Sequence, residues 1–330
     1  MSNAIEEVEL VSTPTREITR QAKAEKHLAN IDRLRILAVI GVIAHHTFNV
    51  ENIIGRNIAK ACLPVFVMIF IALISQTAKH DNLGSFAGKK FQRLMKPWLF
   101  WSLVYAMAKI VKQLLIHEAV PEAFHPYMIF TGTAIHLWFL SFAFPAALLI
   151  FYLQSQMKGW SSRTVIITAT IAGGAALLLC STVMSVTKLP IPLAQWALGL
   201  PAVPIGFALG KIYTSQERQL QKIFYGGVAL TTAVVCILLV CLNYTHLVIS
   251  YAIATAAVCA AFVRQGRMDF ITQRWASLSY GIYLSHALVA YPLYYFNFAG
   301  DALWLKITTV FLVASLLSFI MQKTPLRKFI

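Results

Sequence analysis

The sequence predicts an all-α fold, a polytopic membrane helix bundle of about ten transmembrane helices with both termini cytoplasmic. Three observations predict it. Of 330 residues, 58% are hydrophobic and only 12% charged, too apolar for a soluble domain of this length. The apolar residues fall into blocks near the roughly 20 residues that a bilayer core requires. The Lys and Arg residues concentrate in every second connection between those blocks, and so on one face, as cytoplasmic positive charge demands.

Taken in order, the blocks run over 34–50, 57–77, 97–116, 134–154, 164–186, 194–213, 223–243, 247–264, 276–297 and 303–322. The second contains Pro64, and Pro190, Pro192, Pro201 and Pro204 surround the sixth. Such prolines mark broken or kinked helices, tolerated where the freed backbone faces protein or a cavity. The first face of the membrane collects 22 of the 28 Lys and Arg residues, leaving Arg56, Lys60, Lys109, Lys112, Lys188 and Lys306 for the other. A missed or extra span would scramble that bias. The longest inner connection is read as a loop over 78–96 and carries Lys89, Lys90, Arg93 and Lys96. The longest outer one, near 117–133, suits a re-entrant or surface segment.

Residues 1–30 are expected to be a polar cytoplasmic segment, flexible or lying on the surface, and 31–330 a single membrane domain. The first thirty residues hold no apolar core of the kind a cleavable signal peptide needs. The net charge of +15 reflects topology and contact with anionic headgroups, so no nucleic-acid partner follows from it. It would also suit an anionic cytosolic ligand. The five cysteines show no metal-ligand spacing and read as small buried residues. No metal is expected. Gly-rich phosphate loops, zinc motifs and nucleophile elbows are all missing from the sequence.

The most informative stretch is 31–46, IDRLRILAVIGVIAHH. Arg35 and His46 are eleven positions apart, which in a helix is three turns plus roughly 20° and a rise of about 16 Å. They share a stripe with Asp32, from the membrane surface towards the midplane, while His45 points about a quarter-turn away. Ionisable groups inside spans are functional candidates by default. All thirteen acids fall in termini, loops or span ends, so acid/base work at mid-membrane would fall to histidine. His46 on the first span and His286 on the ninth lie at similar depth, which permits a shared cavity. Each could equally satisfy a carbonyl or hydroxyl in a packed bundle. His136, next to Trp138 at the start of the fourth span, fits an interfacial residue as well as a site residue. At the inner mouth Arg35, Lys89, Lys90, Arg93 and Lys96 could bind phosphate, Arg35 and Arg93 above all because they adjoin span ends, although positive-inside bias accounts for most such charges.

These features resemble the acyltransferase-3 family of integral membrane O-acyltransferases. The first span carries Arg35, Ala38 and His46; KKFQRLMKPWLFW at 89–101, IHLWFL at 135–140 and SYGIYLSH at 279–286, with Tyr283, follow in the family's order. One departure stands out. Where the family often has Phe-Phe-x-x-Ser-Gly, residues 66–71 read FVMIFI, so close helix approach through Ser-Gly would be lost.

The resemblance implies a stand-alone short-branch enzyme without an attached esterase-like domain, in a bacterial-type inner membrane. The donor would be cytoplasmic acyl-CoA, most simply acetyl-CoA, and the acceptor a hydroxyl of an extracytoplasmic carbohydrate such as a polysaccharide, glucan or lipid-linked sugar. His46 and His286 would be catalytic, with His46 as general base or transient acyl carrier. Arg35, Arg93 and Lys90 would bind the donor, and Asp32, His45, His136, Trp138 and Tyr283 would support them. Besides the lipid bilayer, polysaccharide-assembly proteins or a second copy are candidate partners. The rival reading is a non-enzymatic exporter or flippase for carbohydrate or lipid-linked sugar, in which His46 lines a pathway.

Overall fold

The computed structural model describes residues 14–47, 53–77, 82–117, 119, 124–214, 218–241, 245–263, 266–267, 269–296, 298, 300 and 302–330. Among these residues the fold is entirely helical. The helices are α1 (Pro14–Thr47), α2 (Ile53–Lys60), α3 (Cys62–Thr77), α4 (Leu83–Lys90), α5 (Lys96–Leu115), α6 (Met128–Thr131) and α7 (Trp138–Gln156). They continue as α8 (Ser162–Val186), α9 (Leu193–Gly199), α10 (Ala202–Thr214), α11 (Arg218–Cys241), α12 (Thr245–Val263), α13 (Phe270–Tyr295) and α14 (Leu303–Gln322). A π-turn, Phe91–Met95, joins α4 to α5, and 3-10 turns occupy Ile135–Leu137 and Pro325–Phe329.

Among the described residues, five helical segments are long and apolar enough to cross a membrane: Ile58–Gln76, Ile135–Gln156, Ser162–Val186, Leu193–Thr214 and Leu303–Gln322. Their outer faces carry the apolar surface that lipid, not water, would cover. Ile167, Ile171 and Leu179 of α8 and Leu305, Leu312 and Leu316 of α14 are all exposed, as are Leu99, Leu103 and Met107 of α5. Contiguous apolar faces of this size are rare on soluble monomers.

Three sequence expectations change in the structure. The inner loop over 78–96 is helical from Leu83 onward, running through the π-turn into α5. Asn82 caps it by accepting from the Ser85 amide at 2.8 Å, and Lys, Arg and Gln are good helix formers, so its polar run needs no loop. At the other end, helix α1 begins at Pro14; residues 1–13 lie outside the described residues. The cysteines also divide: Cys180 and Cys259 are buried and Cys62 half-buried, but Cys241 is exposed, and all four are free thiols. The side chain of Cys236 lies outside those described.

The break expected at Pro64 falls at Ala61, between α2 and α3, which puts the proline in the first turn of α3 where its missing N–H costs nothing. The second break separates α9 from α10 at Leu200–Pro201.

Close approach to α3 is not lost with the Ser-Gly pair. It is supplied from the other side by α10, whose Gly206 and Gly210 lie four residues apart on one face. A Cβ on Gly206 would stand 2.7 Å from the Met68 carbonyl oxygen, and one on Gly210 2.6 Å from that of Ala72. Ile71, in the position the family gives to glycine, is fully buried against this face. Small residues permit such backbone contact between membrane helices.

The C-terminal half of α1 is fastened to both ends of α13. Arg33 donates to Asp269 at 2.9 Å and to the Arg267 carbonyl at 2.9 Å. Thr47 and Tyr294 share a hydroxyl–hydroxyl bond of 2.5 Å. These ties hold the Arg35-to-His46 stripe against the helix that carries Tyr283 and His286.

Candidate active site

Two cavities are stacked along α1, called inner and outer after the topology expected from the sequence. The inner one, about 210 Å³, is lined by Arg35, Lys90, Arg93, Ser279 and Tyr280 at its polar end, and by Phe66, Phe70, Phe139 and Tyr283 at its apolar end. It adjoins a more open basic recess that shares Arg35, Arg93 and Tyr280 and adds Arg327 and Lys328, with Asp32. The outer one, about 350 Å³, is lined by His45, His46, His136, Trp138, Gln195 and Tyr283, with Lys60 of α2.

In the inner cavity Arg35 donates to Asp32 at 3.1 Å and to the Ser279 hydroxyl at 3.4 Å. The Asp32 contact is an i,i+3 pair within α1, so the carboxylate holds the guanidinium at the mouth rather than letting it sample solvent. Arg93 comes from the π-turn, whose backbone is tied to α13 by Tyr280 donating to the Arg93 carbonyl at 3.1 Å. Lys90, three residues earlier, lies 5.1 Å above the Phe86 ring. The mouth therefore offers three cations from three elements, α1, α4 and the π-turn. A phosphate group is the ligand chemistry that such a set binds best.

In the outer cavity the histidines form a chain. Ring centroids are 5.5 Å apart for His45 and His46, 5.6 Å for His46 and His286, and 4.7 Å for His136 and His286. Their surroundings differ sharply. His46 is exposed to the cavity, whereas His136 is 4% and His286 1% exposed. The expectation that His46 and His286 share a cavity is met only in part: the rings are neighbours, but His286 sits behind the wall and does not line the space. His45, expected a quarter-turn away, does line it.

Buried histidines must satisfy their nitrogens, and two carbonyls fix how. His286 Nδ1 lies 2.6 Å from the Tyr283 carbonyl oxygen, and His136 Nε2 lies 3.3 Å from that of Leu284. A carbonyl only accepts, so each of these nitrogens carries the hydrogen. The His286 Nε2 is buried with no hydrogen-bonding partner among the described residues. Tyr283 donates through its hydroxyl to the His136 carbonyl, which fixes the 3-10 turn to α13.

Tyr105 was not singled out by the sequence, where it is one tyrosine in an apolar block. Its buried hydroxyl donates to the Leu284 carbonyl at 2.8 Å and accepts from the Leu288 amide at 3.1 Å. A side chain inserted into an i→i−4 ladder distorts the helix at that point, and the insertion flanks His286. Ser279, Tyr280, Arg327 and Lys328 were also missed as site residues. Tyr280 stands inside the motif quoted for Tyr283, and Arg327 and Lys328 counted only towards the charge bias.

Among the described residues no group of three or more His, Cys, Asp or Glu is placed to hold a metal ion. The site places the His46 imidazole in one cavity and a cation cluster in the other, with Arg35 and His46 on the same helix. No curated protein and no solved structure matches the chain. The family described as an acyltransferase domain matches residues 28–323, a range that takes in every residue of both cavities. By that match the chain, a multi-pass integral membrane protein, belongs to the acyltransferase-3 family.

Proposed function

We propose that the protein is an acyl-CoA-dependent O-acyltransferase that moves an acyl group, most simply acetyl, from the cytoplasm to a hydroxyl of an extracytoplasmic carbohydrate. The observation that carries the reading is the placement of Arg35 and His46 on one helix, opening into separate stacked cavities. Their helical rise of about 16 Å is comparable to the length of a pantetheine arm. The bundle is assigned ten spans with both termini cytoplasmic, in an inner membrane of the bacterial type. The basic cavity faces the cytoplasm under that topology.

Arg35, Lys90 and Arg93 hold the phosphates of the donor, and Asp32 keeps Arg35 in place. The thioester then lies toward His46. His46 removes the acceptor hydroxyl proton as the oxygen attacks the thioester carbonyl. The C–O bond forms, the C–S bond breaks, and the proton passes from His46 to the departing thiolate. His286 and His136 stand behind His46 and steady its ring, while His45 and Trp138 shape the acceptor side. A carbohydrate exporter would need a continuous path between the cavities. The aromatic rings of Phe66, Phe139 and Tyr283 between them favour the enzyme.

Sidedness tests the reading. In sealed vesicles of known orientation, labelled acyl-CoA should be consumed only at the basic face, with labelled ester appearing on carbohydrate at the other. Use of donor equally from both faces, or carbohydrate movement without acylation, would refute it.

A further inference from the structure

The boundary between the two cavities falls at one level on four helices. On α1 it lies between Arg35 of the inner cavity and Val42 of the outer, and on α3 between Phe66 and Leu63. On α7 the adjacent residues Trp138 and Phe139 face opposite cavities, and on α13 Tyr283 borders both. Three rings meet at this level: Phe66 to Tyr283 at 5.8 Å, Phe139 to Tyr283 at 5.9 Å and Phe66 to Phe139 at 6.2 Å between centroids. At these spacings aromatic rings are in contact. They close the space between the inner cavity and His46.

The three are not equally fixed. Phe139 is 9% exposed and is packed further against Phe70, at 6.1 Å, and Trp138. Tyr283 is 4% exposed and is held by its hydrogen bond to the His136 carbonyl. Phe66 is only half-buried, with free volume of the inner cavity beside it. One ring can therefore turn while two stay.

Resting on the reading of the chain as an acyl-CoA-dependent transferase, we propose that Phe66, Phe139 and Tyr283 form an aromatic partition that sets which acyl groups reach His46. A two-carbon group needs only the rotation of Phe66 to bring its carbonyl through. A longer alkyl chain needs Phe139 displaced as well, against packing on several sides. The partition is thus a specificity determinant rather than part of the bond-making machinery.

The test compares acetyl-CoA with hexanoyl-CoA as donors for the full-length protein in nanodiscs, as the ratio of their kcat/KM values. Phe66→Ala and Phe139→Ala should move this ratio towards hexanoyl-CoA by about tenfold or more, the scale on which pocket size discriminates alkyl groups. Phe139→Leu keeps more of the core volume and should shift it the same way by less. Leu63→Ala, beside the partition on the outer side, should leave the ratio within about twofold. If the parent transfers acyl groups and folded Phe66 and Phe139 variants keep its ratio, the partition is refuted and the donor reading stands. A folded parent that transfers acyl from neither donor overturns the donor reading, and the partition with it.

Discussion

Arg35 and His46 lie on one stripe of α1 yet open into different cavities, with the Phe66, Phe139 and Tyr283 rings between them. In the proposed enzyme, a cation about three turns before a base on the same helix would bind a donor and act on it without bringing the bulk aqueous phases into contact. The first prediction follows from exposure. Of the histidines that line the outer cavity His46 is the exposed one, while His286 is walled off from it. His46→Ala should lower kcat by about 10² to 10⁴-fold, the usual cost of losing a general base. Size-exclusion profile and helical circular dichroism should be unchanged. Full turnover by this variant would move the base elsewhere.

In the proposed mechanism His286 acts through His46, so the two should be separable. His286→Ala should lower kcat less than His46→Ala and shift the acid limb of the pH–kcat profile, where a general base is lost to protonation, because the ring beside His46 at 5.6 Å is gone. A purely structural role would lower Tm and leave the shape of that profile alone. Rescue by His286→Asn, which can still donate to the Tyr283 carbonyl, would also indicate structure rather than proton handling.

The inner mouth is read by binding. Arg35→Ala and Arg93→Ala should each raise the KM for acyl-CoA by about tenfold, the lower end expected for a charge-assisted bond at a partly solvated site. Each should flatten its dependence on salt. Arg35→Lys should recover part of the loss, because an ammonium cannot make the planar two-pronged contact. Unchanged CoA affinity by calorimetry in both alanine variants would show that the phosphates bind elsewhere. Arg327 and Lys328, in the adjoining recess, would be the next positions to replace.

How much of this was legible in the sequence depends on the range of the physics involved. The Arg35–His46 stripe follows from helical period alone, and the structure keeps both on α1. The basic run at 89–96 was readable as charge but not as helix, since lysines and glutamine satisfy both a solvated loop and a helical turn. The partition was out of reach: Phe66, Phe139 and Tyr283 belong to three helices distant in the chain, and each alone is an ordinary apolar-span aromatic. The role of α10 in replacing the Ser-Gly approach was hidden for the same reason, because Gly206 and Gly210 acquire meaning only against Met68 and Ala72.

Tyr105 offers a test of positioning from a distance. Removing its hydroxyl by Tyr105→Phe takes a donor from the Leu284 carbonyl and an acceptor from the Leu288 amide. The Leu284 carbonyl still accepts from His136 Nε2, but a Leu288 amide left unpaired would cost about 1–3 kcal/mol, so the α13 ladder should close locally instead. The expected outcome is a stability loss of only about 1 kcal/mol, with a lower kcat because the turn preceding His286 has moved. KM for the donor should be unchanged, since the inner mouth is not involved. A fall in stability with normal kcat would limit Tyr105 to folding.

The last prediction concerns acid. Asp269 caps α13 by accepting from the Thr272 amide at 2.7 Å, and it also accepts from Arg33 at 2.9 Å. Those bonds, the backbone one foremost, hold its carboxyl well below the usual carboxylate range. A carboxyl depressed in the folded state stabilises the fold above its unfolded value of about 3.9. That stability fades as pH falls through the folded value, because the native state then has to take up a proton it resists. Tm in nanodiscs should therefore drop for the parent as pH is lowered below about 4. Asp269→Asn keeps a good N-cap but loses the charge facing Arg33, so it should melt lower at neutral pH and lose less on acidification. Asp269→Ala removes the cap as well and should melt lowest of the three at neutral pH. Parallel Tm-against-pH curves for parent and Asp269→Asn would show that the Arg33–Asp269 tie between α1 and α13 carries no charge-dependent stability.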